Sequence, residues 1–421
     1  MASLSPVHVS GAARETLHWV GTWSAAPQNT ASPRPTVYEN QTLRLIVHVS
    51  VGGKKARVRF SNLFGDTPLT IGSAHVARRT TGADIELASD RALTFGGKPS
   101  VTIAPQGAAI SDGVDIDIPA LSDVAISVFL PEETKVLTSH ILAKQTNYVS
   151  PATGDSTAAA TFSVEKKIGS WPFLAGLDVV TSSQGASIVA FGSSLTDGDG
   201  STADTNRRWP DVLAERLQKE GLTELGVLNE GVIGNRLMSD TESPNQTGGP
   251  LAATYAQLGV NLGQSGVRRF DRDVLGQSGV RYVVLALGVN DILFPGSFVD
   301  ASHAVSAQAL IKANRDLIAR AHKHHIRAIG TTIPPFEHAL FRNPRFDDFY
   351  SPEKEKVRQE VNEWVRHGGA FDGVIDFDKA VRDPNRPTQI LPAFDSGDHL
   401  HVNNDGNVAQ GQGIPLTLFR H

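Results

Sequence analysis

Two adjacent serines, Ser193 and Ser194, lie in a short polar turn that follows the apolar stretch 187–191 (SIVAF). The turn is rich in glycine and small polar residues, GSSLTDGDG over 192–200. A serine hydroxyl acts as a nucleophile when a neighbouring base removes its proton and an acid orients that base. Either serine is therefore a candidate nucleophile, provided that the chain supplies a histidine and a carboxylate beside it.

The segment 395–401 (DSGDHLH) contains both residue types. Asp398 precedes His401 by three residues, a spacing that lets the carboxylate reach a ring nitrogen on a turn or at a helix start. An acyl-transfer site also needs hydrogen-bond donors for the oxyanion. The N–H of Gly234 and the side-chain amide of Asn290 are candidate donors, since each lies just beyond another apolar segment.

These candidates all lie in the second half of the chain, where short apolar segments alternate with helical patterns. Such alternation predicts βαβ units and a mostly parallel sheet flanked by helices. In sheets of this kind, functional residues collect beyond the carboxyl ends of the strands, where the candidates lie. The predicted strands are 187–191, 226–231, 281–287, 326–333 and 373–377, and the predicted helices are 209–220, 303–324 and 353–367.

The first half of the chain has a period of two. From about residue 40 to 130, short alternating runs are separated by turn residues, which predicts an antiparallel sandwich or jelly roll. The stretch 43–60 predicts a hairpin closed by Gly52 and Gly53. The segment 18–28 (HWVGTWSAAPQ) could pack against either half of the chain.

A polar, glycine-containing segment, 181–187 (TSSQGAS), separates the two patterns and is a candidate linker. We therefore predict two domains. The first is a β-rich domain over 1–182, in which the first 30 residues are hardest to assign, and the second is a catalytic domain over 183–421.

The composition excludes several classes of function. The net charge of −5 provides no basic field for nucleic acid. The lack of cysteine excludes disulfides, thiolate metal sites and a cysteine nucleophile. No apolar run has the length of a membrane helix, and the chain start shows no signal peptide. There is no phosphate-binding loop, dinucleotide fingerprint or H-E-x-x-H motif, so we expect neither a cofactor nor a metal.

The ordered motifs resemble those of the SGNH (GDSL-type) hydrolases, in particular the group with an N-terminal β-rich region. The resemblance covers about residues 185–421 closely and the first half loosely. Four segments carry it: FGSSLTDG (191–198), NEGVIGNRL (229–237), GVND (288–291) and DHLH (398–401).

The resemblance implies a flavodoxin-like three-layer α/β catalytic domain after an antiparallel β-rich domain. It assigns Ser194 as nucleophile, His401 as general base and Asp398 as the residue that orients His401. It places the oxyanion hole at Gly234, Asn290 and the Ser194 N–H. It further implies a serine esterase without a cofactor, acting on a small-molecule or glycan ester, and secretion; the sequence itself leaves the compartment and the oligomeric state open.

Ser193 stands where the family has an aspartate. We expect the Ser193 hydroxyl to cap the turn in place of that carboxylate. A carboxylate beside the nucleophile would favour the cationic form of His401, so Ser193→Asp is predicted to raise the pKa seen in the acidic limb of kcat/KM.

Two alternatives to a short-chain carboxylesterase stay open. One is a carbohydrate or cell-wall ester deacetylase, and the other is a weakly active or inactive relative that binds carbohydrate. Turnover of a simple ester that is lost in Ser194→Ala would exclude an inactive protein. A series of ester chain lengths compared with acetylated sugars would separate the two enzymes.

Overall fold

The computed structural model describes residues 17–241, 259–339 and 349–420. The prediction made for the chain start falls on residues outside the described part, as do parts of both predicted domains. None of the described helices is both long enough and apolar enough to cross a membrane.

The region from residue 19 to 180 is here called the antiparallel region. Its regular secondary structure consists of strands and one 3₁₀ turn at Leu87–Ser89. The strands are β1 Trp19–Ser24, β2 Gln28–Asn29, β3 Val37–Tyr38, β4 Gln41–His48, β5 Gly53–Ser61, β6 Leu69–Ile71, β7 Ser73–Arg78, β8 Arg91–Ala92, β9 Val101–Ile103, β10 Ala108–Ile110, β11 Val114–Ile118, β12 Asp123–Leu130, β13 Thr134–Lys135, β14 Thr138–His140, β15 Asn147–Val149, β16 Lys166–Ile168, β17 Trp171–Pro172 and β18 Leu174–Val180.

Two larger antiparallel sheets dominate this region. One has the order β1-β18-β5-β10, with β11 also paired to β5, and the other has the order β16-β15-β4-β12-β7-β8. Both sheets contribute to one core, for example through Phe60 and Val179 from the first and Leu45 and Ile126 from the second. The strand-rich antiparallel prediction is confirmed, whereas the jelly-roll description stays a prediction.

The predicted hairpin over 43–60 is wrong. Strand β4 pairs with β12 and β15, whereas β5 pairs with β10, β11 and β18 in the other sheet. Neither Gly52 nor Gly53 has the positive φ that a two-residue type I′ turn requires at both positions. The connection instead crosses between the sheets, and Gly52 passes so close to Ile118 that a Cβ would lie 2.5 Å from its carbonyl oxygen.

The region from residue 186 to 420, here called the parallel region, alternates strands and helices. Its strands are β19 Ala186–Gly192, β20 Leu225–Gly231, β21 Val280–Ala286, β22 Arg327–Thr331, β23 Gly373–Ile375, β24 Arg382–Asp383 and β25 Arg386–Ile390. Its helices are α1 Ser194–Asp197, α2 Trp209–Lys219, α3 Gly266–Phe270, α4 Val289–Leu293, α5 Ala307–Lys323, α6 Pro352–His367, α7 Phe377–Val381 and α8 Asn404–Gln412, with 3₁₀ turns at Gly259–Leu262, Ala301–His303 and Leu416–Phe419 and a π turn at Asp271–Leu275.

Five strands of this region form a parallel sheet, through four pairings, in the order β20-β19-β21-β22-β23. Counted along the chain, this is the 2-1-3-4-5 order of flavodoxin-like sheets. Alternate residues of β19 face two cores: Val189 and Phe191 pack on the side of α5 and α6, and Ile188 and Ala190 on the side of α2. The predicted parallel sheet with flanking helices is therefore confirmed.

Strand β1 contacts both regions. It pairs with β18 of the antiparallel region, and its Gly21 N–H donates to Ser187 Oγ of β19 at 3.0 Å. Gly21 and Gly226 are so close that a Cβ on Gly226 would lie 2.1 Å from the Gly21 carbonyl oxygen. The segment 18–28 thus packs against both halves, while the division into domains at 182/183 stays a prediction.

Candidate active site

The candidate nucleophile lies at the carboxyl end of the central strand. Strand β19 ends at Gly192, Ser193 is the N-cap residue, and Ser194 begins the single-turn helix α1. Ser194 is buried, with 4% of its surface exposed. Gly198 ends the helix with a left-handed φ of 96°, so the chain reverses directly after α1.

Asp398, His401 and Ser194 form a continuous hydrogen-bonded chain. His401 Nε2 lies 2.8 Å from Ser194 Oγ, and His401 Nδ1 lies 2.6 Å from Asp398 Oδ2. The other carboxylate oxygen of Asp398 accepts from the backbone N–H groups of Leu400 and His401 at 3.0 and 2.8 Å. This geometry allows Ser194 to give a proton to His401 while Asp398 fixes the imidazole orientation.

The charges and hydrogen bonds around these three residues favour an ionised Asp398 and a basic His401. Burial alone would raise the pKa of Asp398, but the hydrogen bond and charge of His401 and the two backbone donors hold it well below its usual range. Burial alone would lower the pKa of His401, but the hydrogen bond and charge of Asp398 outweigh burial and raise it.

The loop after β20 is bound to the nucleophile turn. The Val232 N–H donates to the Gly192 carbonyl at 3.2 Å, and the Ile233 N–H donates to Asp197 Oδ2 at 3.1 Å. Gly234 follows with a φ of 66°, and a Cβ there would lie 2.6 Å from a methyl carbon of Leu262. Glycine is therefore favoured at position 234 by both its backbone conformation and its packing.

The second candidate oxyanion donor is tied to the same loop. Asn290, on α4, donates from Nδ2 to the Asn235 carbonyl at 2.9 Å. Its neighbour Asp291 accepts from the Leu237 and Met238 N–H groups at 2.6 and 2.9 Å. The structure thus brings the loops of Gly234 and Asn290 together, and their role as oxyanion donors stays a prediction.

A buried arginine binds the ends of the two strands that carry the nucleophile turn and the Gly234 loop. Arg269 is 1% exposed and donates to the carbonyls of Gly192 and Glu230 at 2.8 and 2.9 Å. Asp273 pairs with the same guanidinium at 3.0 Å. Both residues lie in the segment RFDRDVL (269–275).

The expected cap by Ser193 is wrong. Its hydroxyl makes no capping hydrogen bond to α1, and within the described part of the chain Ser193 Oγ is buried without a hydrogen-bond partner. The backbone carbonyl of Ser193 instead accepts from the Thr196 and Asp197 N–H groups, both at 2.9 Å. The turn is therefore held by backbone hydrogen bonds and by neighbouring side chains.

Three carboxylates of the nucleophile segment contact the antiparallel region, and sequence reasoning missed all three contacts. Asp197 Oδ1 lies 3.0 Å from His140 Nε2, and Asp199 Oδ1 lies 3.5 Å from Lys144 Nζ. Asp204 accepts from Thr146 N and Oγ1, both at 2.6 Å, and from Gln145 Nε2 at 2.8 Å. Asp197 and Asp199 are visible in the quoted turn, but no local pattern identifies partners more than 50 residues away in sequence.

No group of three or more histidine and acidic side chains in residues 17–241, 259–339 and 349–420 is arranged to hold a metal ion. His322, in the last turn of α5, pairs with Asp372 at 2.8 Å. Ser351 caps α6 by accepting from the Lys354 N–H at 3.3 Å.

Comparison with known proteins identifies one family. The model of GDSL-like lipases and acylhydrolases matches residues 188–414, and no curated protein matches the chain. Similar solved structures include a G-D-S-L family protein from Desulfitobacterium hafniense DCB-2, with 18% identity over 54% of this chain and 97% of that one, and a TM-score of 0.36. A carbohydrate acetylesterase family member from Sinorhizobium meliloti is 17% identical (54% and 94%, TM-score 0.38), and the M. smegmatis aryl esterase is also 17% identical (54% and 95%, TM-score 0.38).

Proposed function

This chain belongs to the GDSL-like lipase/acylhydrolase family, and we propose from that premise that it is a serine esterase. It hydrolyses carboxylic esters, with short acyl chains, through an acyl-enzyme. The observation that carries the proposal is the hydrogen-bonded chain of 2.8 Å from Ser194 Oγ to His401 and 2.6 Å from His401 to Asp398.

The proposed reaction has two halves. Ser194 Oγ attacks the ester carbonyl carbon as its proton passes to His401 Nε2, which gives a tetrahedral intermediate. The intermediate collapses when the C–O bond to the alcohol breaks, and His401 returns the proton to the departing oxygen. Water then attacks the acyl-enzyme, gives a proton to His401, and releases the carboxylic acid as that proton returns to Ser194.

The oxyanion formed in each half is stabilised by the Ser194 and Gly234 N–H groups and by Asn290 Nδ2. The bond from Asn290 Nδ2 to the Asn235 carbonyl uses one of its two amide hydrogens, which leaves the other for the oxyanion. Donors held in place before the reaction begins act in this way without reorganisation.

A serine-reactive fluorophosphonate and a p-nitrophenyl ester test this proposal together. We expect the probe to label Ser194 in the wild type, and Ser194→Ala to lose both labelling and turnover. Ser193→Ala is the matched control, because Ser193 is the adjacent buried serine, and it should keep the label. Labelling that survives Ser194→Ala and disappears in Ser193→Ala would place the nucleophile one residue earlier.

The preference for short acyl chains follows from the lack of a long apolar lid insertion in the sequence. Turnover of p-nitrophenyl esters should therefore fall as the acyl chain lengthens beyond a few carbons. Acetylated sugars tested beside that series decide between a general short-chain esterase and a carbohydrate deacetylase.

A further inference from the structure

A second carboxylate lies beside the base on the side that faces the nucleophile. Asp199 Oδ2 is 3.9 Å from His401 Nε2, the same ring nitrogen that contacts Ser194 Oγ. This separation is too long for a hydrogen bond and within the range of a strong charge interaction. Asp398 occupies the other ring nitrogen, so Asp199 acts on His401 through its charge alone.

The backbone fixes Asp199 in this position. The Asp199 N–H donates to the carbonyl of Ser194 at 2.9 Å, directly after the chain reverses at Gly198. Its side-chain oxygen Oδ1 accepts from the Gly200 N–H at 3.0 Å. The carboxylate is thus held against the nucleophile helix, with Oδ2 facing His401.

The antiparallel region contributes the counter-charge. Lys144 Nζ lies 3.5 Å from Asp199 Oδ1, the oxygen that faces away from His401, and both side chains are about one-fifth exposed. The backbone at Lys144 is anchored. Its carbonyl accepts from the Asp204 N–H at 2.9 Å, and the Asp204 carboxylate accepts from Gln145 and Thr146, the two residues after Lys144. The lysine is therefore a fixed part of the site.

We infer that Asp199 and Lys144 are a pair of positioning residues with opposite effects on the base: Asp199 stabilises the cationic form of His401, and Lys144 limits that stabilisation. The inference rests on the proposed function, because it assigns His401 as the general base.

The charges around His401 agree with this assignment. Asp398, Asp199 and Lys144 are the charged groups that act on the ring. Burial lowers the pKa of His401, Asp398 raises it most, Asp199 raises it further, and Lys144 lowers it. Since the base is neutral before acylation and cationic in the transition state, Asp199 raises both the pKa of the acidic limb and the maximal rate.

The test is the pH profile of kcat/KM on one soluble ester. Asp199→Asn should move the acidic limb down by about 0.5–1 pH unit and lower the plateau about 3–10-fold. Lys144→Met, which keeps an apolar stem of similar length, should move the same limb up. Unmoved limbs in both variants, or shifts in the same direction, would overturn the inference.

Asp204→Asn is the matched control for a merely structural effect. It weakens the same loop, but Asp204 faces the 144–146 segment rather than His401, so the acidic limb should stay in place even if kcat falls. A shift in this control equal to that of Asp199→Asn would also overturn the inference. Ser194→Ala in the same assay separates the two proposals: turnover that persists there refutes the esterase mechanism itself.

Discussion

At the scale of single residues, the side-chain amide of Asn290 joins two loops and keeps one hydrogen for the proposed oxyanion hole. One hydrogen of Nδ2 is directed to the Asn235 carbonyl at 2.9 Å, and the residue is 2% exposed. The bond orients the amide, so the second hydrogen has a fixed direction before substrate binds. An oxyanion donor benefits from such preorganisation, because no reorganisation is needed in the transition state.

Asn290→Ala should lower kcat by about 10²–10³-fold with little change in KM, since the lost interaction is made only in the transition state. Steady-state kinetics on a soluble ester measure this split. Loss of the bond to Asn235 should lower stability by only about 1 kcal/mol. A rise in KM comparable to the fall in kcat would instead indicate a role in folding or substrate binding.

The sequence could identify two kinds of site residue. Some have a partner close by in the sequence, and others lie in motifs that follow one another in the order typical of the family. Asp398 and His401 are three residues apart, and the structure joins them as that spacing predicts. Lys144 and His140 carry no such signal, because their partners lie 55 and 57 residues away and are chosen by the packing of two regions. The prediction for Ser193 was wrong although a local signal was present. Serine is a common capping residue, but the Ser193 hydroxyl makes no capping hydrogen bond.

At the scale of elements, helix α1 is a single turn, and its end at Gly198 requires a left-handed backbone conformation. Gly198 adopts a φ of 96°, and a Cβ there would lie 2.2 Å from Cγ and 2.5 Å from Cδ of Arg208. Arg208 cannot easily move away, because it is 7% exposed and its guanidinium pairs with Asp211 at 2.8 Å. The turn therefore needs glycine for both conformation and space.

Gly198→Ala should lower the free energy of unfolding by about 2–4 kcal/mol, from left-handed strain and overpacking together. It should also lower kcat, because Asp199 is the next residue. Gly221→Ala is the matched control, since Gly221 has a φ of 78° with nothing within 4 Å of an added Cβ. Thermal unfolding of the two variants separates backbone strain from the clash with Arg208. Equal losses of stability in both would show that the Arg208 side chain can move aside without loss of stability.

Strands and helices could be predicted where a hydrophobic pattern repeats over many residues. Prediction was wrong where it rested on one short motif. The parallel strands and helices α2 and α6 match their predicted bounds closely, because burial on alternate faces repeats over many residues. The Gly52-Gly53 pair resembles a hairpin turn, but pairing partners are set by the packing of whole sheets. Strand β4 is buried along nearly its full length, which alternation alone did not indicate.

At the scale of the whole molecule, the antiparallel region contacts three carboxylates of the nucleophile segment, and the contact between His140 and Asp197 is the most buried of the three. His140 is 2% exposed; its Nδ1 lies 3.0 Å from the Ala26 carbonyl, and its Nε2 lies 3.0 Å from Asp197 Oδ1. A carbonyl and an ionised carboxylate can only accept, so hydrogen on both ring nitrogens would satisfy both contacts, and the arrangement favours the cationic form of His140.

The pH dependence of stability tests this contact. Burial lowers the pKa of His140, but the charge and hydrogen bond of Asp197, the Ala26 carbonyl and the charge of Glu230 outweigh burial and raise it. A group whose pKa is raised on folding stabilises the folded state fully below its unfolded pKa of about 6.5. That contribution is lost as the pH rises through the folded pKa.

His140→Gln should therefore lower the free energy of unfolding by about 3 kcal/mol at pH 6, where it removes one partner of a buried pair. The difference from wild type should shrink as the pH rises, and denaturant unfolding at a series of pH values measures it. His322→Gln is the control: it removes a more exposed pair with Asp372, whose side chain also accepts from the Ala328 N–H, and it should change stability by less than about 1 kcal/mol. A difference between His140→Gln and wild type that stays constant with pH would show that His140 is not held as a cation, and that the two regions are joined there by neutral hydrogen bonds.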